Sequence, residues 1–110
     1  MPGKFEVYKD KAGEYRFRLK AANGQNILSS EGYKTKSSCM NGVESVKKNS
    51  QDAARLVKKQ TPSGKYRFNV TSSNGQVVGA SQNYDSESGC RNGMKSVAEC
   101  AKGATVDDQT

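Results

Sequence analysis

Arg16, Arg18 and Lys20 occur at every second position in Tyr15-Arg16-Phe17-Arg18-Leu19-Lys20, and Arg67 recurs in Tyr66-Arg67-Phe68. In an extended strand successive side chains point to opposite faces, so Tyr15, Phe17 and Leu19 share one face and the three cations the other. Cations spaced in this way on an open sheet are suited to binding anionic groups, phosphodiesters among them. The net charge of +7 and the pI near 9.4 favour the same partners. RNA readers that use a sheet surface stack bases on exposed aromatic rings. Here Tyr15, Phe17, Tyr66 and Phe68 fall on the core side, leaving Tyr8 as the aromatic candidate outside. The expected polyanion site is therefore Arg16, Arg18, Lys20 and Arg67, weak and indifferent to nucleotide sequence. A solvated charged face with no ligand is the competing reading.

Other chemistries find little support. The chain has no histidine, which removes the usual general base near neutral pH, the Ser–His and Cys–His activation schemes and the commonest metal ligand. Cys39, Cys90 and Cys100 are too scattered for a zinc or iron–sulfur spacing. Gly75-Gln76-Val77-Val78-Gly79 lacks the lysine and spacing of a phosphate-binding loop, and Asp107-Asp108 lies near the chain end. No catalytic residue, metal or cofactor is expected. Cys39 and Cys90 read as small buried hydrophobes and Cys100 as a more exposed thiol open to oxidation. An odd cysteine count without a CxxC pair fits reduced thiols. Residues 1–11 alternate charged and apolar and contain no signal-peptide core, so a cytoplasmic location is expected. Asn69-Val70-Thr71 is a glycosylation sequon without a secretion signal to give it meaning.

The elements that would position these side chains come from an internal duplication. Shifting the chain by 51 residues lays Gly13-Glu14-Tyr15-Arg16-Phe17 on Gly64-Lys65-Tyr66-Arg67-Phe68 and Asn23-Gly24-Gln25 on Asn74-Gly75-Gln76. Tyr33 then meets Tyr84, Cys39 meets Cys90, Asn41-Gly42 meets Asn92-Gly93, and Ser45-Val46 meets Ser96-Val97, with no gap across 13–53 and 64–104. Two copies are too few for a solenoid, so the halves are expected to share one core about a pseudo-twofold axis.

Within a unit, Phe5-Glu6-Val7-Tyr8 alternates, Asp10 to Gly13 turns, 15–20 is a strand, and Asn23-Gly24 is a hairpin signal with positive φ expected at both residues. A third strand is expected near 26–30. Thr35 and Ser86 are suitable helix N-caps, followed by stripes Cys39, Val43, Val46 and Cys90, Met94, Val97, Ala101. The second unit repeats the order, with strands near 56–59, 66–71 and 76–81 and a helix over 87–102. Gly42 and Gly93 inside helices imply close packing, and Asn41, Asn92, Tyr33 and Tyr84 are expected to tie helix to strand ends. The expected fold is α+β, a βββα-βββα single domain with one antiparallel sheet and both helices on one face. Its units span 1–53 and 54–104, and 105–110 is a frayed polar tail.

Phe5-Glu6-Val7-Tyr8-Lys9, Gly13 to Gly24, Ser29-Ser30-Glu31-Gly32-Tyr33 and Asn41 to Lys47 together resemble the YegP-like family, as do Gly64 to Asn69 and Asn74-Gly75-Gln76. The resemblance covers nearly the whole chain in the tandem two-unit form. It implies a single sheet built from both units, with the helices exchanged between them, and it implies no activity. In the family Cys39 and Cys90 fall where a small residue such as Ala is usual, so the resemblance assigns the thiols no role. The combined expectation is a monomeric, non-enzymatic interaction module for an acidic partner, nucleic acid or protein. A protein-interaction module with no nucleic-acid role is the alternative.

Overall fold

The structure, a computed structural model, describes residues 3–110, so the first two residues of the expected first unit lie outside it. Its strands are β1 (Lys4–Lys9), β2 (Tyr15–Lys20), β3 (Asn26–Ser29), β4 (Leu56–Gln60), β5 (Tyr66–Thr71), β6 (Val77–Ala80) and β7 (Thr105–Asp108). Helices α1 (Lys36–Asn49) and α2 (Glu87–Ala101) follow β3 and β6, and a 3-10 turn, Ala53–Arg55, precedes β4. All seven strands form one sheet in the order β4-β5-β6-β3-β2-β1-β7. The pseudo-twofold axis passes between β3 and β6, which meet at Ser29 and Ala80, themselves 51 residues apart.

The duplication reaches further than the self-comparison shows. Phe5 pairs with Leu19 and Lys9 with Tyr15, as Leu56 pairs with Val70 and Gln60 with Tyr66. Even the register shift recurs, at Leu19/Lys20 and at Val70/Thr71. The period-two pattern places Phe5, Val7, Phe17, Leu19, Leu28, Phe68 and Val70 beneath the helices, where they meet Cys39, Val43, Val46, Cys90, Val97 and Ala101 in one core. Thr35 and Ser86 cap the helices, their hydroxyls accepting the N–H groups of Ser38 and Gly89 at 3.1 and 3.0 Å.

Each helix begins over its own unit and ends over the other. Lys36, opening α1, pairs with Asp108 of β7 at one edge of the sheet, and α1 leads into β4 at the opposite edge. Glu87, opening α2, meets Lys58 of β4 at 2.8 Å, while the Cys100 carbonyl at the far end accepts the Gly3 N–H at 2.8 Å.

Gly42 and Gly93 are buried because a tyrosine hydroxyl occupies the space of a side chain. A Cβ on Gly42 would lie 2.5 Å from the Tyr33 hydroxyl and 2.9 Å from the Phe17 ring, and one on Gly93 would press still closer on Tyr84. Tyr33 and Tyr84 stack on Phe17 and Phe68 and join the strand starts by backbone hydrogen bonds to Tyr15 and Tyr66. Asn41 and Asn92, expected to help, are exposed instead.

Four further expectations are corrected. Residues 105–108 do not fray but form β7. β7 runs parallel to β1, so the sheet is mixed. Among the described residues none but glycine has positive φ, so Asn23 does not. Of the Asn23-Gly24 pair Gly24 alone does, at φ 84°, closing a turn in which its N–H reaches the Ala21 carbonyl at 2.8 Å and Asn23 accepts the Gln25 N–H at 3.0 Å. This is a three-residue hairpin loop ending in a left-handed glycine, which needs one special residue rather than two. Cys100 is buried, because the chain entering β1 packs against the end of α2.

Candidate functional site: the outer sheet face

The face turned away from the helices carries the candidate residues. One row of paired positions crosses all seven strands: Asp107, Glu6, Arg18, Ser29, Ala80, Asn69 and Val57. Its two halves are equivalent in backbone and opposite in chemistry.

In the first unit Glu6 is 5% exposed and organises the cations around it. The Arg18 Nε donates to its Oε1 at 2.7 Å, the Lys20 ammonium lies 3.3 Å from the same oxygen, and Lys4 lies 3.5 Å from the other. The Arg18 hydrogen bond holds the Glu6 carboxyl down at about 2 against the opposing effect of burial, with Lys20 adding to the lowering. Arg18 also lies over the Tyr8 ring, 4.5 Å from its centroid, so the outer aromatic is already engaged. Arg16 donates to Asp10 at 2.6 Å, and that bond, with backbone donors, lowers the Asp10 pKa.

The expected cluster is therefore divided. Arg16, Arg18 and Lys20 share β2, each held by a carboxylate, whereas Arg67 sits on β5. Three strand spacings separate β2 from β5, roughly 14 Å. Arg67 is the counterpart of Arg16, but Thr61 replaces Asp10 in the second unit. Lys59 lies directly opposite Arg67 on β4. Both are exposed, and among the described residues neither forms an ion pair. Lys59 escaped the sequence reading because its counterpart is Tyr8 and its partner is known only from strand register.

Asn69, the counterpart of Arg18, is 5% exposed, and its Oδ1 has no hydrogen-bond partner in the structure. Its burial also closes the sequon in the folded chain. Val57 stands where the first unit has Glu6. Among the described residues no three metal-ligating side chains come together. Cys39 and Cys90 are buried, and desolvation raises both thiol pKa values, the reverse of a reactive thiolate.

The description "Domain of unknown function (DUF1508)" matches the chain twice, over residues 10–56 and 62–108. The chain belongs to the YegP-like, or UPF0339, family. The two matches end within the strands that follow the helices, β4 and β7, so β7 lies inside the matched unit and not in a tail. A UPF0339 protein in the ptx operon 5' region of Stutzerimonas stutzeri is 58% identical over 106 residues, covering 96% of each chain. The UPF0339 protein YegP of Escherichia coli K12 is 40% identical over the whole of both chains. The solution NMR structure of the Escherichia coli protein, described there as of unknown function, superposes with a TM-score of 0.95, covering 100% of this chain and 95% of that one. That of a UPF0339 protein from Shewanella oneidensis gives 0.92 at 44% identity, covering 98% and 92%. No helix of the structure is long and apolar enough to cross a membrane.

Proposed function

We propose that this YegP-like protein is a small cytoplasmic, monomeric, non-enzymatic module that binds polyanions, nucleic-acid backbones in particular, weakly and without sequence preference. The observation that carries the reading is the pair Lys59 and Arg67. Two like charges directly opposite on neighbouring strands repel each other, and no carboxylate relieves them here. A phosphate placed between them would remove that repulsion. Arg16, Arg18 and Lys20 extend the positive surface, but each would have to share its carboxylate's hold with the ligand, so they contribute less. The absence of histidine and the buried, poorly acidic thiols support the non-enzymatic part.

The test is fluorescence anisotropy with mixed-sequence single- and double-stranded oligonucleotides at rising salt. Binding should fall steeply between about 50 and 200 mM salt. The double variant Lys59→Glu/Arg67→Glu should abolish binding while leaving the circular dichroism spectrum and melting unchanged. Absence of salt-dependent binding by the wild type would leave the protein-interaction alternative.

A further inference from the structure

The two outer strands of the duplication, β1 and β4, are equivalent, yet only β1 is covered. The chain's own β7 lies parallel to it, with Val106 opposite Phe5 and packed against the core, Asp107 3.7 Å from Lys4, and Asp108 paired with Lys36. β4 has β5 on one side and, among the described residues, no strand on the other; the Leu56 N–H turns back to the Ala53 carbonyl, and no strand pairs with the rest of that edge. Beside it opens a groove of about 420 Å³, between α2 and the connection from α1, lined by Ala53, Leu56, Arg91, Met94, Lys95 and Ala98 among others. In the first unit the same place is filled. Phe5 stands where the second unit has Leu56, and the Lys47 side chain, the counterpart of Ala98, reaches over the Phe5 ring at 6.0 Å. Shortening Phe to Leu and Lys to Ala empties the space. The rim is basic: Lys95 makes no ion pair among the described residues, Lys58 and Arg91 share Glu87, and Arg55 pairs with Asp52.

We propose that the free edge of β4, with the Leu56–Met94–Ala98 groove, is a docking site for an extended acidic peptide segment of a partner protein. The segment adds to β4 as a parallel strand, with one apolar side chain in the groove and acidic residues after it. β7 supplies the template, since Thr105-Val106-Asp107-Asp108 makes this contact with the equivalent edge in the same molecule. The free main-chain groups of β4 provide affinity, the groove selects the apolar anchor, and the basic rim selects acidic sequence. A second copy pairing β4 to β4 in antiparallel fashion is disfavoured, because Lys58 and Lys59 of the two copies would face one another. The site is separate from Arg67 on the outer face and does not rest on the nucleic-acid reading.

The probe is a labelled octapeptide with the sequence of residues 103–110, titrated into the full-length protein. Saturable binding is expected, with amide shifts confined to 56–60 and 91–98. Ala98→Lys, which installs the first unit's residue, should weaken binding at least tenfold, as should serine in place of valine in the peptide. Arg67→Glu should bind as the wild type does. Shifts confined to β1 and β7 would mean that the peptide merely displaces the chain's own strand, and would overturn the proposal. So would binding indifferent to Ala98→Lys, or no binding. A concentration-dependent dimer in sedimentation that Ala98→Lys abolishes would assign the groove to a second copy and overturn it equally.

Discussion

The two units share their hairpin turn lengths, both register shifts, both helix N-caps and both buried helix glycines, yet their outer faces, Arg16 and Arg67 apart, have diverged. In the first, Glu6, Arg18, Lys20 and Tyr8 form a closed network in which each charge is answered. In the second, the same backbone positions hold Val57, Asn69, Thr71 and Lys59, leaving an orphaned amide and, with Arg67 opposite Lys59, two cations without an ion pair among the described residues. The interior is fixed in both halves by packing that each must satisfy, whereas the outer face is free to become a structural tie in one and an open surface in the other. That division argues for looking for binding in the second half.

The largest effects should fall where the halves agree. Gly42→Ala and Gly93→Ala should each cost about 2 kcal/mol in chemical denaturation, since the added methyl meets a tyrosine held by its ring stack and little space remains to relax. A marked inequality between the two would break the equivalence of the interiors. Next come the positions where the halves differ. Glu6→Gln should cost about 1–2 kcal/mol, because it removes the negative charge shared by Arg18, Lys20 and Lys4 and sets an amide donor among them, all still partly reached by water. Val57→Gln, its counterpart, should be nearly silent by the same measurement.

Acid unfolding sharpens the contrast. The Glu6 pKa is lowered on folding, from 4.5 to about 2. Its stabilisation is therefore complete above the unfolded value and is lost as pH falls through that window. Denaturation midpoints of Glu6→Gln should vary less with pH over this range than those of the wild type. Opposite in sign, Asn69→Val should stabilise by about 1 kcal/mol, since it removes a buried acceptor without a donor and leaves an apolar side chain beside Val57 and Ala80.

Much of this was legible in the amino-acid order. Alternation in Tyr15–Lys20 and Tyr66–Thr71, threonine and serine at the caps and paired glycines within helices are local signals, and duplication gave each one a second witness. β7 was not legible, because Thr-Val-Asp-Asp offers a single apolar residue and a partner strand about a hundred residues away. The pairing of Arg18 with Glu6 was hidden for a related reason: both lay on recognised strands, but only the register sets them side by side. Asn23 misled because Asn-Gly favours a two-residue turn, while here the loop is one residue longer and Gly24 alone takes positive φ. Burial of Cys100 depends on where the chain enters β1, which its own helix does not reveal.

The salt dependence of oligonucleotide affinity tests the functional account most directly. Each phosphate contact contributes about 0.9 to the slope of log affinity against log salt on duplex DNA. Lys59→Gln and Arg67→Gln should each lower the slope by about that amount, while Arg18→Gln lowers it by much less. A slope that falls with Arg18→Gln and stays constant with Lys59→Gln and Arg67→Gln would place the binding surface on the wrong half of the sheet and contradict the account.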